Sequence, residues 1–252
     1  MKKDILDNAY NVLKEHNLFR NIAPETLKSI LGECQVITWK KADTINSDIT
    51  NNYLHVIVEG RLKMTQVDPQ TGRSIALFIL SDGDIFDIFS LLDGKEHIVF
   101  PIAVDDLLTL QIPLKRAREW ICEHPEFNKA FLPYLGEKMR ELEAFGESVV
   151  FHDTATRLAK LILKHVIPKE LSNEPHHSLK LISSFSHESL AEMIGSVRSV
   201  VSSQMHKLKE EEIILNTRGH LAIKNLEELI KKCDLFDHYL LEKIQRHTKD
   251  EK

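Results

Sequence analysis

The chain has 252 residues, of which 42% are hydrophobic and 28% charged, with a formal net charge of −5. That length leaves room for two modest domains with real cores, and the composition is ordinary for a soluble globular protein. No apolar run could span a bilayer, the start MKKDILDNAYNVLKEHN has no signal-peptide core, and Cys34, Cys122 and Cys233 are too scattered for a disulfide framework or a cysteine-ligated metal, so the expectation is a cytoplasmic protein with no membrane partner and no metal site.

In chain order, residues 4–16 and 24–32 read as short amphipathic helices, Ile5, Leu6, Ala9, Val12 and Leu13 giving one apolar face. From Val36 the period shortens. The runs YLHVIVEG (53–60), RLKMTQV (61–67), SIALFIL (74–80), IVFPIAV (98–104) and LLTLQIP (107–113) are separated by Gly, Asp, Asn and Pro. Short strands at short intervals predict an antiparallel barrel or roll, with turns at 67–72 and 81–84.

The order NLFRNIAPETLKSIL, YLHVIVEGRLKM, the Gly72 hairpin and SDGDIFD resembles the cyclic-nucleotide-binding β-roll, the sensor domain of the Crp/Fnr superfamily of bacterial transcription regulators. The likeness covers nearly the whole chain. It implies an α+β fold: an N-terminal antiparallel β-roll (a double-stranded β-helix) over 1–125, a long dimerisation helix over 126–152, a winged helix-turn-helix over 153–224 and a helical extension over 225–252. In cyclic-nucleotide binders a Gly-Glu pair holds the ribose and an Arg-Ser/Thr-Ala stretch clamps the phosphate. The matching positions here are Asp87-Ile88 and His97-Ile98-Val99. Ile88 cannot accept a hydrogen bond from ribose, His97 is a poor substitute for an arginine fork, and Asp87 adds negative charge beside a phosphate. The expectation is that neither cyclic AMP nor cyclic GMP is the effector, and that any pocket, lined by His55, Phe86, Asp87, Ile88, His97 and Val99, is largely apolar. A haem-based sensor would draw its axial ligand from His55 or His97, although lone strand histidines are more often structural. A small organic effector, a partner protein or no ligand at all are the other readings.

Through KAFLPYLGEKMRELEAFGESVV, Phe131, Leu135, Met139, Leu142, Phe145 and Val149 step by three and four between charged flanks. This narrow seam predicts a parallel homodimer, with Pro133 in the first turn of the helix. The alternative is that the same face packs only on its own β-roll.

FHDTATRLAKLILKHV predicts a helix capped at Asp153 or Thr154 and stopped at Pro168, followed by a polar loop (168–178) and a strand over 179–183. The His176-His177 pair in that loop lacks a second ligand cluster and reads as solvated. Residues 186–208 then hold two helical segments broken at Gly195, with Ser186 and Ser196 as N-caps and Ala191 small enough for a close crossing: a helix-turn-helix. Arg198, Ser199, Ser202, Ser203 and His206 form a polar stripe that the sequence sets opposite Val197, Val200 and Val201. With Ser186, His187, Lys207 and the hairpin-tip Arg218, these are the expected contacts to double-stranded DNA. Residues 154–209 carry eight Lys/Arg against four Asp/Glu, a mild local basic bias. Many superfamily members read their half-site with Glu and Arg where this chain has Ser199 and Ser203, so a different operator is expected. Residues 212–225 predict the hairpin wing, and 225–252 an amphipathic extension through Leu226, Leu229, Ile230, Leu235, Phe236, Tyr239, Leu240 and Ile244.

A regulator of transcription implies RNA polymerase as a further partner. The rival function is a β-roll module acting through protein partners, which would have no need of a helix-turn-helix. An enzyme is the third reading; no nucleophile–base pair, phosphate-binding Gly loop or metal spacing supports it.

Overall fold

The computed structural model describes residues 2–46, 49, 51–167, 176–217 and 220–233. The chain divides into two compact units, Met1–Glu143 and Ala144–Lys252.

In the first unit, α1 (Lys2–Glu15) and α2 (Pro24–Glu33) precede seven strands. These are β1 (Gln35–Trp39), β2 (Tyr53–Glu59), β3 (Leu62–Val67), β4 (Ser74–Leu80), β5 (Ile85–Phe86), β6 (Phe100–Ala103) and β7 (Leu107–Pro113). A short helix, α3 (Ile88–Asp93), separates β5 from β6. Two antiparallel sheets result, ordered β1-β7-β2-β5 and β4-β3-β6. Side-chain alternation along β2 explains how both faces are buried. Leu54, Val56 and Val58 join the helices in one apolar cluster, while Ile57 joins Leu62, Met64, Leu80, Phe86, Ala103 and Leu107 from both sheets in another. The β-roll expectation stands, with β1 and β5 added: both are too short or too irregular in pattern to announce themselves.

Helix α4 (Leu114–Glu123) leads into α5 (Pro125–Phe151), within which the division between units falls. Pro133 lies well inside α5 rather than in its first turn. The helix begins earlier than the apolar seam suggests, because Phe127, Phe131 and Tyr134 are buried in the same apolar cluster as α1 and α2, which holds that first stretch.

In the second unit, α6 (Thr154–Lys164) is capped by Asp153, whose carboxylate accepts the Thr156 N–H at 2.8 Å. The expected strand at 179–183 is reduced to a single bridge, Val166 with Leu179. Leu179 and Ile182 spend their side chains on the core instead of continuing a ladder. Helices α7 (His187–Met193) and α8 (Arg198–Glu210) form the helix-turn-helix, and β8 (Ile214–Thr217) pairs antiparallel with β9 (His220–Ile223) as the wing. Asn225 caps α9 (Leu226–Lys232) through the Glu228 N–H. The core joins Leu158 and Ile162 of α6, Leu190 and Ala191 of α7, Val201 and Met205 of α8, and Leu221 and Ile223 of the wing. Arg218 and the 234–252 part of the expected extension lie outside the described residues.

Candidate functional site

The turn between α7 and α8 is fixed from two directions. Gly195 adopts φ +61°, a left-handed conformation that costs an L side chain but not glycine. Arg157, from α6, donates Nη1–H to the Ile194 carbonyl at 2.6 Å, so this cation secures the turn and is not free for DNA. Ser186 caps α7 as expected, accepting the Ser189 N–H at 3.1 Å. Ser196 does not cap α8; that position falls to Val197, which offers no side-chain acceptor. The first N–H groups of α8 therefore remain open to an external acceptor such as a phosphate oxygen.

The expected polar stripe divides into two sets. His187 Nδ1 and Ser202 Oγ lie 2.8 Å apart and satisfy each other, tying α7 to α8. His206 faces Glu210 at 3.3 Å, one turn on. Arg198, Ser199, Ser203 and Lys207, by contrast, are exposed and have no polar partner among the described residues. The sequence also placed Val197 and Val200 on the buried side. Only Val201 goes inward: Val197 is 45% and Val200 38% exposed. With Val201, Met205 and Leu208 fixing the inner face, 100° per residue rotates Val200 onto the outer flank beside Ser199 and Ser203.

In the first unit, the expected pocket residues are gathered around β5 and the start of α3. His55 on β2 is fully buried and stacked on Phe86, with ring centroids 4.6 Å apart and planes 12° from parallel. Its Nδ1 lies 3.4 Å from Thr109 Oγ1, and its Nε2 has no partner. Burial pushes its pKa down to about 4, with Asp87 acting weakly in the other direction, so the ring is neutral. Asp87 sits at φ +65°, ahead of α3, with its side chain enclosed. Oδ1 takes the Ser90 hydroxyl at 2.9 Å and faces His97 Nδ1 at 3.3 Å, while Oδ2 is buried without a partner. Val99 is buried in the roll interior, and Ile88 packs toward the outer helices rather than into the roll. The neighbouring cation Arg118 donates to the Ser90 and Leu91 carbonyls, closing the end of α3.

The same loop is keyed to α5. Asp84 accepts the Tyr134 hydroxyl at 2.9 Å and pairs with Lys138 at 3.1 Å, and the Ile85 N–H reaches Tyr134 Oη at 3.3 Å. Burial opposes the Lys138 charge, yet Asp84 and Glu141 outweigh it and hold its pKa above the usual lysine value. This polar junction was not visible in sequence spacing, since its members lie some fifty residues apart.

Along α5 the expected seam is reassigned in part. Phe131 is 2% exposed and belongs to the core of the first unit, stacked on Phe127. Leu135 packs partly against that core, Leu142 and Phe145 are half-buried, and Met139 and Val149 are exposed, Met139 at 71%. Leu132 is exposed as well, so the open apolar row begins there rather than at Phe131.

A family model, the Crp-like helix-turn-helix domain, matches residues 156–232. A global nitrogen regulator of Synechocystis is 22% identical over 174 residues, covering 68% of this chain and 76% of that protein. A cyclic AMP receptor protein of Thermus thermophilus is 23% identical over 222 residues, covering 86% of this chain and 98% of that protein. A mutant of CooA from Carboxydothermus hydrogenoformans has the same fold, with a TM-score of 0.67 at 21% identity over 82% of this chain and 90% of that one. Residues 156–232 thus carry a Crp-like helix-turn-helix domain, and over most of its length the chain is similar to transcription regulators of the Crp/Fnr type. The second unit contains this helix-turn-helix domain, of a DNA-binding type, and the relatives it resembles are regulators rather than enzymes. No described helix is long and apolar enough to cross a membrane.

Proposed function

We propose that this protein is a cytoplasmic, homodimeric regulator that binds double-stranded DNA and answers to an effector other than a cyclic nucleotide. The observation that carries the effector reading is the enclosed Asp87 carboxylate, at a position that the resemblance matches to the ribose-holding pair and so sets beside a cyclic phosphate. An anion brought beside Oδ2 would meet like charge in a poorly solvated site, and the nearby Arg118 is committed to the end of α3. An apolar or cationic ligand meets no such opposition. RNA polymerase remains the further partner that transcription regulation implies.

The open row Leu132, Met139 and Val149 supports pairing through α5. Gly146 lies on the same helix, and a Cβ there would meet nothing within its own chain, which suits a close approach by a second helix. Two such chains would set two recognition helices against successive major grooves about 34 Å apart.

The test joins calorimetry to light scattering. Neither cyclic AMP nor cyclic GMP is expected to bind at micromolar concentration, and micromolar binding of either overturns the effector reading. Met139→Asp, at a position exposed in the single chain, is expected to yield a folded monomer, because a carboxylate in an apolar interface costs several kcal/mol. A variant that stays dimeric at micromolar concentration places the interface elsewhere.

A further inference from the structure

Helix α8 exposes an apolar side chain where its polar neighbours face outward. Val200 is 38% exposed, lies in the first full turn of α8, and at 100° per residue falls on the outer flank next to Ser203 and Lys207. Its backbone is ordinary helix, the N–H reaching the Val197 carbonyl at 3.1 Å, so no local strain accounts for the placement. Valine is a poor choice for a solvated helix position, since β-branching restricts its rotamers against the preceding turn. That stiffness is useful at a contact: the two methyl groups are presented in a fixed direction at little further cost in order. The core does not use them, because Val201, Met205 and Leu208 fill the inner face.

We infer that Val200 is a specificity-determining residue that packs its methyl groups on the C5-methyl of a thymine in the major groove. The inference rests on α8 being the helix that enters that groove. The thymine methyl is the one apolar group a base pair offers there, and it separates thymine from cytosine irrespective of hydrogen bonding. It also fits what the neighbouring side chains lack. Ser199 and Ser203 make short hydrogen bonds of low base discrimination, and Arg198 supplies one strong donor fork. An apolar contact at Val200 would add a selective element that the serines cannot. Val197, one turn earlier and 45% exposed, extends the same apolar edge toward the start of the helix.

The experiment uses the full-length protein. A preferred site is first selected from random duplexes; each thymine in one half-site is then replaced singly by deoxyuridine, which removes the methyl and leaves pairing intact. For the native protein, one replacement is expected to weaken binding about fourfold, the worth of one buried methyl group, with the others within about twofold. Val200→Ala should lose that single sensitivity while keeping its melting temperature. A flat uracil scan, a preferred half-site without thymine, or a sensitivity that survives in Val200→Ala overturns the assignment. So does a marked drop in melting temperature for Val200→Ala, which would mean that the side chain packs on the protein. If the native protein enriches no duplex at all, the recognition-helix reading itself fails, an outcome distinct from a flat scan on a well-bound site.

Discussion

The two units keep their chemistry in opposite places. The DNA-binding unit carries Arg198, Ser199, Ser203 and Lys207 on its surface, over a core that fixes α8 from beneath. The first unit encloses polar groups: Nε2 of His55, Oδ2 of Asp87 and Oγ1 of Thr65 are buried without hydrogen-bond partners, among side chains that are mostly aliphatic and aromatic. A surface reader needs its scaffold rigid and its outward groups unpaired, because its ligand supplies the partners. A buried polar atom left unpaired costs stability in the free protein and marks a place where another molecule, or another arrangement of the loop, could repay it.

The two glycines that anchor these regions differ correspondingly, and this gives the largest expected effect. Gly83 in the first unit and Gly195 in the reader both have positive φ, +85° and +61°. A Cβ at Gly195 would meet Arg157 Nη1 and Val149 Cγ2 at 3.6 Å, which is ordinary contact, so Gly195→Ala should cost only the backbone term of about 1–2 kcal/mol. A Cβ at Gly83 would stand 2.3 Å from Cγ of the His16 ring. Overpacking then adds to the backbone cost, for a total of about 2–5 kcal/mol. Trp39 and Trp120 both lie in the first unit, so tryptophan fluorescence reports that unit alone, while far-ultraviolet circular dichroism reports both. In urea, Gly83→Ala should move the fluorescence midpoint strongly and Gly195→Ala should move it little. Equal midpoint shifts would show that the two units unfold as one and that the His16 contact yields easily.

Acid should separate the units further. His55 has its folded pKa depressed from 6.5 to about 4, burial being the main cause. Above pH 6.5 neither the folded nor the unfolded state holds the proton, and the first unit keeps its full stability. Below 6.5 the unfolded chain takes up a proton that the folded chain refuses, so stability falls until pH reaches about 4 and then levels. The interval from 6.5 to about 4, at 1.36 kcal/mol per pH unit, amounts to about 3 kcal/mol. In the reader, the Asp153 cap works in a lower window. Hydrogen bonds from Thr156 depress its pKa below 3.8, so its contribution is present above that value and is lost as pH falls through the folded pKa. Fluorescence-monitored unfolding should therefore show the unit that holds His55 less stable at pH 5 than at pH 7, and His55→Phe should flatten that dependence. An unchanged slope in His55→Phe would move the origin of the acid response to another group.

How far each region could be read from sequence follows the same division. The helix-turn-helix, its Gly195 turn and the Ser186 and Asp153 caps follow from local spacing and from residues within one turn of each other, and all are present. The β-roll was legible as a succession of short apolar runs, but β5, two residues long, has no period to detect. Helical spacing also misplaced Val197, Val200 and Phe131. A wheel assigns a residue to a face, and the edges of that face are settled only by what packs against it. The polar junctions from Asp84 to Tyr134 and from Asp87 to His97 are tertiary contacts between side chains that sequence spacing does not relate. The pairing of Ser202 is hidden for the same reason, since its partner His187 lies fifteen positions away on another helix.

That last pair supplies the smallest and most discriminating prediction. Ser202 and Ser203 are adjacent in sequence and identical in chemistry, yet only Ser203 is exposed and unpaired, while Ser202 is joined to His187 at 2.8 Å. Ser203→Ala should leave the melting temperature unchanged and weaken DNA binding by about 1 kcal/mol, the ordinary net worth of one hydrogen bond. Ser202→Ala should do the reverse, lowering stability by a comparable amount because it leaves a half-buried imidazole nitrogen without its partner. His187→Ala in the Ser202→Ala background should then add less than His187→Ala alone, the two changes coupling by about 0.5–1.5 kcal/mol in a double-mutant cycle on unfolding. Additive effects on unfolding would show that the bond does not hold α7 to α8. A loss of DNA affinity for Ser202→Ala equal to that of Ser203→Ala, at unchanged stability, would return Ser202 to the set of residues that touch the operator.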